Sequence, residues 1–513
     1  MTKRPAKPSR RLWRGFAPLS ALGLSALSCA SHSVTTRVSA PEEPFRRTPP
    51  AVEESPLLPQ LACETATLPN GMTVAVVHRD ELPVASFAWA SRAAHDDGTP
   101  PNAGLAQLTA RAITEGEIRE DVRARLRARG LIVGPSIAAS SEGTRFEIVT
   151  LSPAWKAALS ELADTIRSPP LDPDAIAVAR RRVAAARDHA VTLIANAIRQ
   201  ASLDAVWGKN RPATLSISGN GNPAAGFSDD RVRRFHELTY RPKDSILVAV
   251  GPFDLAEVLA AVSTSFGSWS GPSGAPSAEV LETPPAESTD VAHVVAIRTW
   301  GPSYVAIASA CTGVMDADDL AFELVSQLLR GSTASGGFRL MRIENPESYY
   351  LYANCSERRT AGTFTFDVDS RPEELRKNVD LLLEALGRLR SRQVEDGELT
   401  AAKKRFLGTW ETRLSTGGGI AHAIATHFES GAEPDFFATL ETRVRAVTSA
   451  EVQNVANRYL QPRQLHIVVA GDSAMLGADL ARLGSITWVD AKPTRDEPTQ
   501  LGKDPPEAGS SAP

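Results

Sequence analysis

Two stretches about 220 residues apart carry the same order of apolar and polar positions. SDDRVRRFHELTYRPKDSILVAVG, from Ser228 to Gly251, and TSAEVQNVANRYLQPRQLHIVVAG, from Thr448 to Gly471, align without a gap. Val232 matches Val452, Phe235 matches Val455 and Pro242 matches Pro462, so each stretch predicts an amphipathic helix. Ser228 and Thr448 stand as N-caps, and Thr448 with Glu451 makes a capping box. Each helix leads into an apolar β run, ILVAV or HIVVA, that ends at glycine.

Three further pieces repeat in the same order. GTRFEIVTLSP from Gly143 parallels GTFTFDVDSRP from Gly362, an alternating strand followed by a helix-opening Ser/Pro or Arg/Pro. AIAVARRRV from Ala175 parallels ELTAAKKRF from Glu398, and the helix AGLAQLTARAITEG from Ala103 parallels LAFELVSQLLRG from Leu320. The chain therefore predicts an α+β fold of two homologous domains, 62–267 and 289–480, joined by a Pro/Gly/Ser-rich linker at 268–288. Each copy reads strand, strand, helix, strands, paired helices, helix, strand. The alternation favours a mostly antiparallel sheet covered by helices on one face. Two such domains face to face make a clamshell.

The ends differ from this pattern. Six basic residues before residue 15 precede the uncharged run GFAPLSALGLSALS, the shape of a signal peptide. It closes at Leu27, Ser28 and Cys29, similar to a bacterial lipobox, so residues 1–29 are expected to be an export signal with Cys29 lipidated. Residues 30–60 read as a disordered, Pro-rich tether and 490–513 as a disordered tail. These expectations place the protein outside the cytoplasm, facing the periplasm on a lipid anchor, in the outer membrane rather than the inner. Export permits a disulfide; Cys311 and Cys355 form the preferred pair, leaving Cys63 over. A net charge of −4 gives no electrostatic case for nucleic acid.

LPNGMTVAVVHRDELPVASFAWASRAAHDDGTPPNAGLAQLTARAITEG, from Leu68, resembles the start of the pitrilysin/insulinase family of zinc peptidases. The resemblance runs through the Tyr240-x-Pro242 to Gly251 strand, the Lys403/Lys404 helix and the strand from Pro462 to Gly471. It implies the fold of that family and of the related mitochondrial processing peptidases. It also locates a missing centre. Family catalysis uses H-x-x-E-H on the first helix, two histidine ligands with a glutamate base. Here Gln107, Ala110 and Arg111 occupy those places, a poor ligand, no base and a fixed positive charge. The family's third ligand falls near Ala186, Arg187 and Asp188, of which Asp188 alone could serve. His422 and His427 are spaced i, i+5 and do not converge, and His236 reads as an ordinary helix residue. No metal or other cofactor is expected in this chain.

The two-subunit bacterial branch of the family pairs a zinc-bearing chain with a degenerate one that supplies an arginine and a tyrosine. SGGFRLMRIENPESYY from Ser335 resembles that motif, with Phe338, Arg342 and Tyr349 on its Phe, Arg and Tyr. Gly337, Ile343 and Pro346 depart from it, and Tyr350 rivals Tyr349. The resemblance implies a non-catalytic, substrate-binding subunit whose partners are an H-x-x-E-H chain carrying the zinc and peptide substrates. A stand-alone peptide-binding or scaffold protein is the alternative, and an enzyme with relocated ligands a further rival. The glycines at 417–419 read as a simple helix break.

Overall fold

Sheet A is built from β1 (Cys63–Thr67), β2 (Thr73–His78), β3 (Val84–Ser91), β4 (Leu131–Ala139), β5 (Thr144–Leu151) and β6 (Ser245–Gly251) in the order β1-β2-β6-β3-β5-β4. The computed structural model describes residues 58–490 apart from 93–102, 115–123, 125–126, 129, 141, 191–193, 210, 212–213, 215–225, 272–292, 299–302, 332–335, 338, 345–347, 349, 357–358, 360 and 472–485. The proposed signal, Cys29, the tether, the linker and the tail therefore lie outside the described residues, save Leu58 to Gln60, Ser268 to Gly271 and Asp490 at their margins; Asp490 ends a strand rather than opening a disordered tail. Sheet B contains β7 (His293–Arg298), β8 (Ser303–Thr312), β9 (Leu351–Ser356), β10 (Ala361–Ser370), β11 (His466–Gly471) and β12 (Ile486–Asp490) in the order β12-β7-β11-β8-β10-β9. Five strands of each sheet follow one scheme: β2-β6-β3-β5-β4 matches β7-β11-β8-β10-β9. The repeat read in the sequence is a repeat of topology. Only the outermost strand differs, β1 pairing antiparallel to β2 and β12 parallel to β7.

The helices of the first half are α1 (Leu105–Thr114), α2 (Trp155–Arg167), α3 (Pro173–Ala190), α4 (Ile194–Trp207), α5 (Asp229–Thr239) and α6 (Leu255–Phe266). Those of the second are α7 (Asp319–Leu329), α8 (Leu375–Ser391), α9 (Asp396–Arg413), α10 (Gly417–Glu429), α11 (Leu440–Ala446) and α12 (Ser449–Tyr459). The caps are formed as the sequence suggests. Ser228 accepts from the Arg231 amide, and Thr448 and Glu451 complete their reciprocal box. Leu105, Leu108, Ala112 and Ile113 of α1 join Phe87, Trp89, Phe146 and the apolar faces of α2 and α6 in a core on one side of sheet A.

The opposite faces are covered too, and by exchange. α10 of the second half packs on β3, β5 and β6 of the first, while α4 of the first packs on β7, β8, β10 and β11 of the second. Ile420 and Ile424 thus share a core with Ala88, Val248 and Val250. Ile198 and Ala201 meet Ile297, Ala306, Val468 and Ala470, and the Trp207 indole donates to Thr363 across the halves at 2.8 Å. The expected one-sided covering gives way to a two-sided one. β6, SILVAVG, is buried at every position, the pattern of a strand enclosed on both faces rather than one. The two halves accordingly lie in one compact unit.

The three glycines at 417–419 belong to this exchange rather than to a helix break. They open α10 behind the Thr416 N-cap. A Cβ on Gly417 would lie 3.3 Å from Ser86 Oγ and 3.4 Å from Val250 Cγ1, so the bare backbone lets the helix start lie close on sheet A.

Charged groups seal the same seam. Arg145 on β5 donates to Glu147 at 2.7 Å and to Glu429 on α10 at 3.0 Å, and Glu429 also accepts from Ser140 at 3.3 Å. His422 lies 2.6 Å from the same Glu147 oxygen. Arg92 donates to the Phe428 and Ala432 carbonyls and lies 3.7 Å over the Phe428 ring. Burial pushes the Glu429 carboxyl up to about 7, against the pull of Arg145. A raised carboxyl contributes stability that is full below its unfolded value and is lost as pH rises through the folded one. Glu429→Gln should therefore flatten the fall in melting temperature between about pH 5 and 8, read by calorimetry across that range.

Cys311 and Cys355 are bonded, as the sequence suggests, with Cα atoms 6.2 Å apart. Their strands, β8 and β9, are not neighbours; β10 runs between them, and the bridge passes over Gly362. A Cβ there would lie 2.8 and 2.9 Å from the two sulfurs and 2.5 Å from the Ser356 carbonyl. Gly362→Ala should cost about 1–3 kcal/mol by overpacking, and thermal melts of the oxidised protein measure it. Cys63 is free, half-buried, and its thiol is pushed up to about 11 by burial.

Candidate functional site

The first helix keeps its packing role and has no donor set for a metal. Ala110 is buried where the family's base would project, Gln107 is half-buried and Arg111 is exposed. α1 lies against α3, the helix that carries Ala186, Arg187 and Asp188. Ala186 is exposed; the side chains of Arg187 and Asp188 lie outside the described residues. Zinc needs three nitrogen, sulfur or carboxylate ligands and an open position for catalysis. An amide, a methyl group and a guanidinium do not provide them. Among the described residues no group of three His, Cys, Asp or Glu side chains is placed to hold a metal.

The histidines have other occupations. His236 is buried, its Nε2 2.7 Å from the Ile166 carbonyl and its ring on Tyr240. His427 is enclosed by Trp410, Phe436 and Phe437, and burial drives its pKa down to about 4, so it is neutral. His422 faces Glu147.

In the second half, Arg339–Glu344 forms a π-helical turn, a local widening frequent at functional sites. Leu340 and Met341 are buried, Arg342 is half-buried and Ile343 is exposed. Gly337 explains one departure from the motif. A Cβ there would lie 2.7 Å from the Phe366 ring and 2.8 Å from the Leu329 carbonyl, so a leucine has no room. Phe338 and Tyr349 lie outside the described residues, as does the approach of Tyr349 to Arg342. Tyr350 is described. Its amide donates to Asp369 at 2.8 Å, its phenol to Asp367, and its ring stacks on Tyr352.

Sequence reasoning missed this tyrosine–aspartate group and the Arg145–Glu429 seam. The first had a signal: Asp367 and Asp369 alternate on one strand, and Tyr350 and Tyr352 alternate on the next. The second had none, since its members are more than 280 residues apart and meet only through the exchanged helix.

Residues 226–406 match the family described as peptidase M16 inactive domain. The match spans the end of the first half and the greater part of the second. It agrees with the resemblance read in the sequence, while Gln107, Ala110 and Arg111 of α1 carry none of that family's ligand or base chemistry. Solved structures agree in fold. A peptidase M16 inactive domain from Pseudomonas fluorescens superposes with a TM-score of 0.71 at 19% identity, covering 80% of this chain and 98% of that one. A protease from Helicobacter pylori gives 0.71 at 18%, covering 80% and 99%. An M16-like peptidase from Alicyclobacillus acidocaldarius gives 0.69 at 17%, covering 82% and 99%. No curated protein matches the chain.

Proposed function

We propose that this M16 homologue is the non-catalytic, substrate-binding subunit of a heterodimeric zinc peptidase. The observation that carries the reading is α1: its core stripe is intact while Gln107, Ala110 and Arg111 replace the ligands and base. A chain that keeps this fold without its metal site retains surfaces for a homologous partner and for peptide. The partner would be an H-x-x-E-H chain holding the zinc. Peptide would bind as an added strand along a free sheet edge, and Arg342 with Tyr349 would donate hydrogen bonds to its carbonyl. Lipid on Cys29 would hold the pair at the periplasmic side of a membrane, the outer one by preference. Affinity capture of the full chain from its native membrane fraction tests the assembly. An H-x-x-E-H chain in about one-to-one ratio is expected; its absence would favour the scaffold alternative.

A further inference from the structure

The face of sheet B that receives α4 extends past that helix to three tyrosines and two aspartates. Asp367 and Asp369 stand two residues apart on β10, so strand alternation sends both to one side. Tyr352 on β9 lies opposite Asp367, and Tyr304 on β8 lies opposite Asp369. Tyr304 leans on α4, whereas Tyr350 and Tyr352 remain 44% and 39% exposed. Their rings are nearly parallel, 16° apart in plane with centroids separated by 6.3 Å.

The two carboxylates are treated differently. Asp369 accepts from the Tyr350 amide and the Ser348 hydroxyl. Asp367 accepts from the Tyr350 phenol, and among the described residues no cation pairs with it. Its carboxyl is pushed up to about 7 by burial. Arg330, the nearby cation, lies 5.9 Å from the centre of the Tyr352 ring and donates to Ser326 of its own helix. A tyrosine that only stapled β9 to β10 would account for the hydrogen bond. It would not account for two exposed, parallel rings flanking an uncompensated carboxylate.

Aromatic faces attract cations, and a carboxylate beside them supplies the hydrogen-bond acceptor and the opposite charge. We propose that Tyr350, Tyr352 and Asp367 form a subsite for the guanidinium or ammonium group of a basic side chain on a bound peptide. The inference rests on the peptide-binding reading above and gives that peptide a chemical class. The planar guanidinium suits the site better than an ammonium, because it can lie along a ring and still donate edge-on to Asp367. Occupation moves the carboxylate hydrogen bond from the phenol to the ligand and needs no rearrangement of the sheet.

The test is calorimetric titration of the full chain at pH 8 with two capped hexapeptides that differ only by arginine against citrulline. N-acetyl-arginine methylamide serves as a probe of the subsite alone. The arginine peptide should bind about tenfold tighter. Asp367→Asn should bring that ratio near one, Tyr352→Ala should lower it several-fold and Tyr352→Phe should preserve it. The wild-type ratio decides the matter even where a variant folds poorly. Equal binding of the two peptides would overturn the subsite and leave peptide binding standing. Binding of N-acetyl-arginine methylamide alone, lost in Asp367→Asn, would keep the subsite and remove the peptide reading. If none of the three ligands bound, both would fall.

Discussion

Replacing Arg145 by methionine should lower stability by about 3–5 kcal/mol at pH 8, the range for removing one member of a buried ion pair. Arg145 bonds both Glu147 and Glu429, and so joins a strand of the first half to a helix of the second. Methionine fills similar volume, so the loss isolates charge from packing. The buried Glu429 carboxyl and the half-buried Glu147 carboxyl would then be left with Ser140 and His422 respectively. Glu429 can escape part of that cost by holding a proton, since burial already pushes its carboxyl up to about 7. The variant should therefore be least stable at alkaline pH and recover as pH falls toward 6. Adding Glu429→Gln should restore most of the loss, because the uncompensated charge and not the missing bond carries the penalty. Chemical denaturation at both pH values measures it. An Arg145→Met protein as stable as wild type at pH 8 would show that the seam is held by the apolar contacts of α10 alone.

The second large effect belongs to the proposed heterodimer. Arg342→Ala should reduce kcat about a hundredfold, on the order of 3 kcal/mol of barrier, the size expected for loss of one donor at a developing oxyanion. A drop in kcat with KM unchanged would place the guanidinium at the transition state, whereas a rise in KM alone would place it in peptide binding. Tyr349→Phe should act in the same direction. Tyr350→Phe separates the rival: its hydroxyl is committed to Asp367, so kcat should hold. If all three variants leave the complex fully active, this segment has no part in the reaction.

The fold was largely legible because duplication writes its evidence twice. The matched runs ending at Gly251 and Gly471 became β6 and β11, at equivalent places in two equivalent sheets. Hydrophobic period identifies a helix and its buried face, but not which sheet that face meets. GGGIAHAIATHFE reads as one more amphipathic helix, and nothing local says that it crosses to the other half. For the same reason the glycines at 417–419 resembled a break, although Gly417 lies close on Ser86 and Val250 and Gly419 close on the Arg413 carbonyl. The loss of the family's ligand residues is a matter of sequence at three positions of one helix, since an amide, a methyl group and a guanidinium at Gln107, Ala110 and Arg111 do not make a zinc centre. The Asp367 group left only the alternation of its aspartates and tyrosines as a signal, because its partners converge through strand register.

The proposed subunit lacks peptide hydrolysis of its own and supports that of an H-x-x-E-H partner. The direct measurement is zinc content and peptidase turnover of the purified full chain, alone and after mixing with the H-x-x-E-H chain captured with it. No stoichiometric zinc and no turnover are expected of the chain alone, with turnover appearing on mixing and saturating near one-to-one. One zinc per chain, with cleavage by the protein alone, would contradict it.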